Sequence, residues 1–114
     1  MPSATYELIL RAMRERKQVV LVYQGYRREV CPILLGRTGL EEKSLVFQFG
    51  GDTSEGRMRP PGDRKCLKLK EVRDVVLRDG LWHVGDQHSA AQSCMKMVEY
   101  DVNPDSPYDP VFKL

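Results

Sequence analysis

The chain of 114 residues has no run of eighteen apolar residues, so no helical membrane span is expected. It has three cysteines, Cys31, Cys66 and Cys94, an odd number at wide and irregular spacing. That spacing argues against a disulfide framework and against a zinc knuckle, which shows paired cysteines two to four residues apart. No basic stretch followed by an apolar segment opens the chain, so no secretory signal is expected. There is no internal repeat, no phosphate-cradling glycine loop and no charge excess of one sign beyond +2. These absences point to a reduced, cytoplasmic, single-domain protein with no membrane partner. What is present is ordinary: 41% hydrophobic and 30% charged residues, enough for a packed core and too apolar for disorder.

The charge is uneven. Residues 1–78 hold 16 Lys/Arg against 10 Asp/Glu, and residues 79–114 hold 2 against 6. A mildly basic body thus precedes an acidic tail. Such a body permits phosphate-bearing partners, provided the cations cluster on one surface.

Periodicity divides the chain. Ala4, Leu8, Ile9, Ala12 and Met13 recur at helical spacing over residues 4–16, with Ser3 placed to cap. From Gln18 the period becomes two. Residues 19–23, 28–35, 44–49, 64–69 and 73–77 read as strands, the first apolar on both faces. Pro32 calls for a bulge or an edge in the second. Residues 50–63, rich in glycine and proline, read as a long loop, and Asp79-Gly80 as a hairpin leading into Leu81, Trp82 and His83. Residues 51–62 and 103–114 are expected to be the least ordered, and Trp82 to be mostly buried. The expected core is Leu8, Ile9, Ala12, Met13, Val20, Val22, Val30, Leu34, Leu45, Phe47, Leu67, Leu69, Val72, Val75 and Leu77. The fold class is mainly β with one N-terminal helix, a sheet of about five strands curling into a small barrel. Residues 1–84 form that domain. Residues 85–114 form a C-terminal extension with one possible strand and a proline-rich end.

A run of segments resembles bacterial WYL domains: Arg-Glu-Arg-Lys-Gln (14–18), Val-Val-Leu-Val-Tyr (19–23), Gly25, Arg28-Glu-Val-Cys-Pro (28–32), Leu34, and Lys65-Cys-Leu-Lys-Leu-Lys-Glu-Val (65–72). The resemblance covers roughly Leu8 to Leu77. The Trp-Tyr-Leu tripeptide that names that family is absent, with Leu45-Val46-Phe47 in its place, and Glu71 stands where a basic residue is usual. Members usually carry a helix-turn-helix ahead of the domain, and these 114 residues contain none. The resemblance implies a Sm-like small β-barrel that senses a ligand or nucleic acid, with Tyr23, Arg28, Lys65 and Lys68 at positions lining its channel.

The residues themselves allow the same chemistry. Arg28, Arg64, Lys65 and Lys68 lie on two strands beside Tyr23, Tyr26 and Phe47, offering cations for phosphate and rings for bases. Lysines on an edge strand also serve simply to discourage sheet-to-sheet pairing. Arg28 alternates with Val30, Pro32 and Leu34 and is expected to face a pocket. Its rival role is an ion pair with Glu29, Glu41 or Asp74. His83, His88 and Cys94 form a weak candidate metal set; Cys94 with His88 is the only local nucleophile–base pairing, and no oxyanion-hole glycines surround it. The leading expectation is a non-enzymatic module, needing no cofactor, that binds a nucleotide or single-stranded nucleic acid. The alternatives are a protein–protein interaction module and a metal-assisted hydrolase using His83, His88 and Cys94.

Overall fold

The computed structural model describes residues 2–83 and 92–114. Helix α1 spans Ala4–Glu15; the Ser3 hydroxyl accepts from the Tyr6 N–H at 3.2 Å and satisfies one of its free donors. Arg16, at φ 54, ends it in a left-handed cap. Tyr6, Ile9, Leu10 and Met13 are buried at i, i+3, i+4, i+7 spacing together with Ala12. Leu8 is only half-buried and Ala4 is exposed, so the buried stripe is rotated by about a quarter of a turn from the expected one.

Strand β1 (Gln18–Tyr23) meets β2 (Tyr26–Thr38) through Gln24 and Gly25, both at positive φ, a turn whose twist suits a hairpin. Strand β3 is Glu41–Thr53, β4 Gly56–Arg57 and β5 Asp63–Lys68. A 3-10 turn, Leu69–Glu71, leads to β6 (Val72–Arg78). Strands β7 (Met97–Asp101) and β8 (Phe112–Lys113) complete the described set.

The sheet runs β4-β3-β2-β1-β6; β5 also pairs with β3, β7 pairs with β2, and β8 lies parallel to β7. The protein is therefore mainly β with one N-terminal helix, as expected, but the sheet is open. The expected closed barrel is corrected: among the described residues no ladder joins β5 to β6, because the 3-10 turn passes directly from the β3 side of the sheet to the β1 side. Strand β2 carries this curl. Its register with β3 slips between Pro32 and Leu34, the bulge that Pro32 calls for, and the Ile33 carbonyl there accepts from Val102 N–H at 3.1 Å.

The core contains Ile9, Ala12, Met13, Val30, Leu34, Leu45, Phe47, Leu67, Leu69 and Val72 of the expected set. On β1 the parity is reversed. Val19, Leu21 and Tyr23 are buried, while Val20 and Val22 are half-buried on the outer face. A strand apolar at every position does not reveal which face turns inward. Val75 and Leu77 are partly buried against the core.

Further expectations are corrected. Residues 51–62 are not one long loop: β3 continues through Gly50-Gly51 and turns into β4, with Asp52 opposite Arg57. Gly51, at φ 81, takes a conformation and a closeness to Arg27 that a larger residue could not. The proline-rich end does form a ladder. Its prolines precede Phe112 and Lys113, whose own N–H groups are free to pair beside Tyr100 and Asp101. Among the described residues no hairpin forms at Asp79-Gly80; Gln18 Nε2 donates to the Leu81 carbonyl at 2.7 Å, and residues 81–83 make no ladder. Trp82 is half-buried against the core, with the Arg16 guanidinium over its ring. Cys66 and Cys94 are not free thiols but are joined in a disulfide, with Cα atoms 5.4 Å apart. Only Cys31 is free, and it packs in the interior.

Candidate functional site: a buried arginine at a small cavity

Register places Arg28 between Leu21 of β1 and Gly51 of β3, on the inward-facing side of β2. Only 4% of it is exposed. Its Nε donates to the Tyr23 carbonyl at 3.3 Å and its Nη1 to Gln48 Oε1 at 3.1 Å. Gln48, wholly buried, is itself fixed, because its Nε2 donates to the carbonyls of Gly50 (2.9 Å) and Asp52 (3.1 Å). The guanidinium carbon lies 5.4 Å from the Tyr23 ring centroid and 5.7 Å from that of Tyr26. Burial pulls the Arg28 pKa below the ordinary arginine value, and the two tyrosines act in the opposite sense.

No carboxylate of the described residues lies within ion-pair distance of Arg28. Glu29 is paired with Arg27 and Arg78, and Glu41 with Lys43 and Lys70. The rival role, a structural ion pair to Glu29, Glu41 or Asp74, is therefore not what holds this side chain. Arg28 lines a cavity of about 180 Å³ with Tyr23, Lys65 and Leu67 on one side and Thr53, Ser54 and Glu55 on the other.

The expected site residues divide. Tyr23, Arg28 and Lys65 meet at this cavity, and Tyr26 covers Arg28 from beside it. Lys65 is also 3.6 Å from Asp63. Arg64 and Lys68 alternate to the other face of β5. Lys68 meets the site only through its backbone N–H, which donates to the Tyr23 hydroxyl at 3.2 Å. Phe47 is buried, and a Cβ on Gly62 would come within 3.0 Å of its ring, so it offers no face for stacking. Gln48 was missed, although a lone amide inside Ser-Leu-Val-Phe-Gln-Phe (44–49) is an unpaired polar group in the most apolar strand and calls for an inward partner.

Among the described residues the weak metal set does not come together. Cys94 is spent in the disulfide, the His83 ring stacks on Phe49 at 4.4 Å, and His88 lies outside the described residues. A larger cavity, about 680 Å³, lies between α1 and β7–β8. Its wall includes Tyr6, whose hydroxyl donates to Glu99 at 2.6 Å, and Arg37, whose Nε lies 3.2 Å from the same carboxylate. Burial and Glu99 hold the Tyr6 hydroxyl well above the ordinary tyrosine range. This network ties the helix to β7.

The chain matches no family model, no curated protein and no solved structure.

Proposed function

We propose that this chain is a small, non-enzymatic binding module with a Sm-like curled sheet, and that it takes an oxyanion, the phosphate of a nucleotide or of single-stranded nucleic acid, at Arg28. One observation carries the reading: an arginine only 4% exposed, held by two neutral acceptors, with no carboxylate of the described residues within ion-pair distance and a cavity before it, Glu55 being the acidic residue on that cavity's wall. A buried cation without a counterion is costly, and an incoming phosphate offsets that cost while engaging the fork of an arginine with two oxygens. Lys65, 3.6 Å from Asp63, adds a second cation at the cavity. The cavity suits a phosphate group with part of a sugar, and the base lies outside it against the half-exposed Tyr26. The likeness of residues 8–77 to WYL domains agrees with this reading.

A second reading, a protein-interaction module, is favoured by Met97 and Phe112, both exposed at the lip of the larger cavity. Thermal-shift titration separates the two. Inorganic phosphate, nucleotides and short single strands at low salt should raise the melting temperature, and Lys65→Ala should weaken the effect. Arg28→Lys should weaken it more, since lysine lacks the fork. Ligand at one hundred times its dissociation constant stabilises by about 2.7 kcal/mol. Absence of any protection at about 10 mM ligand overturns the binding reading, because a site weaker than this is not one the fold was shaped for.

A further inference from the structure

The cations on the far face of β5, left over from the Arg28 cavity, surround the disulfide. Cys66 is exposed on that face, between Arg64 and Lys68 along its strand, and Lys43 stands opposite Lys68 in the β3–β5 register. Cys94, by contrast, is 7% exposed. A cavity of about 360 Å³ opens onto both sulfur-bearing residues and is lined by Lys43, Arg64 and Gln92. Lys43 is also paired with Glu41.

The geometry points to Cys66–Cys94 as a thiol–disulfide exchange site that takes a small anionic thiol, with Cys66 as the sulfur attacked. The incoming thiolate forms a bond to Cys66 Sγ. The Cys66–Cys94 bond breaks, and its electron pair leaves on Cys94 Sγ as a thiolate, which the neighbouring cations favour before it takes a proton from water. A second thiolate then attacks the mixed disulfide, leaving Cys66 as a thiolate and releasing the oxidised thiol pair. Two thiols are thus oxidised as the protein disulfide is reduced by two electrons. Attack at Cys66 follows from access, because Cys66 is exposed whereas Cys94 is buried. The site makes use of Arg64 and Lys68, whose charges the phosphate reading leaves idle, and it stands or falls independently of that reading.

The test compares glutathione, carrying net negative charge, with cysteamine, carrying positive charge, at equal thiolate concentration. Acid-quenched samples of the oxidised full chain are read by peptide mass spectrometry for the position and rate of adduct formation. Relative to a small uncharged disulfide, the preference for glutathione should rise about tenfold at low salt, from several unit charges acting at short range through solvent. It should shrink as salt screens them, and Lys68→Ala and Arg64→Ala should each reduce it. An adduct first appearing on Cys94 overturns the proposal. So does a glutathione preference no greater than that of the model disulfide, or three free thiols in protein unfolded without reductant.

Discussion

Three glycine-to-alanine substitutions separate two causes of strain that usually occur together. Gly25 and Gly51 have almost the same backbone conformation, φ 80 and φ 81. A Cβ at Gly25 would meet nothing within 4 Å, whereas at Gly51 it would fall 2.3 Å from the Arg27 carbonyl oxygen and 2.8 Å from the Arg28 Cα. Gly36 has no positive φ, but its Cβ would lie 2.0 Å from the Met97 carbonyl oxygen. Gly25→Ala therefore carries only the left-handed penalty, about 1–2 kcal/mol. Gly36→Ala carries only the collision of β2 with β7, about 2–3 kcal/mol once the strands have shifted, as for overpacking elsewhere. Gly51→Ala carries both, about 3–5 kcal/mol, a large share of the 5–15 kcal/mol that typical domains possess. At about 4 °C per kcal/mol for a chain of this size, the melting temperature should fall by roughly 5 °C, 10 °C and 15 °C for Gly25, Gly36 and Gly51. Calorimetry or circular dichroism reads these values, and urea midpoints check them. Equal losses at Gly25 and Gly51 would refute the reasoning, since β2 and β3 would then not approach as closely as the bulge at Glu29/Val30 requires.

Burial pushes the Cys31 thiol up to about 11, outweighing the His83 N–H that points to its sulfur, so at about pH 8 an alkylating reagent should find no reactive thiol in the native oxidised protein and one after unfolding. Glu41 is held below its ordinary 4.5, chiefly by its hydrogen bond with Lys70. A lowered folded-state pKa contributes stability above 4.5 that is lost as the pH falls through the folded value. Lys70→Ala should therefore melt slightly lower than the parent near neutral pH, and the gap should close in acid. A gap that widens in acid would contradict the pairing.

The helix, five of the strands and the inward alternation of Arg28 were legible in the sequence because each rests on a local signal. Ser3 caps its own helix, Pro32 forces its own bulge, and Arg28 alternates with Val30, Pro32 and Leu34, apolar neighbours expected to face inward. Parity failed on β1, where Val19, Val20, Leu21 and Val22 give no polar face to orient by. What remained hidden depends on partners far along the chain. Gly50-Gly51 looks like a strand end until Arg27 and Arg28 are known to lie beneath it. The link between Cys66 and Cys94 spans 28 residues and follows from β5 and the segment before β7 being brought together, which spacing does not show. The split of the β5 cations into an inner Lys65 and an outer Arg64 and Lys68 was implicit in alternation. What the sequence lacked was any sign of which face held the cavity.

The most direct measurement on the central claim is the Arg28 side-chain Nε–H signal, followed by nuclear magnetic resonance during titration with inorganic phosphate and then with a nucleotide at low salt. Shielded in the interior and bonded to the Tyr23 carbonyl, it should appear as a slowly exchanging resonance, absent in Arg28→Lys. It should shift saturably with phosphate, more weakly in Lys65→Ala, and not with matched chloride. A resonance that stays in place through about 10 mM phosphate and nucleotide alike would contradict it, and Arg28 would then be a buried cation that the fold holds through Gln48 and the two tyrosines alone.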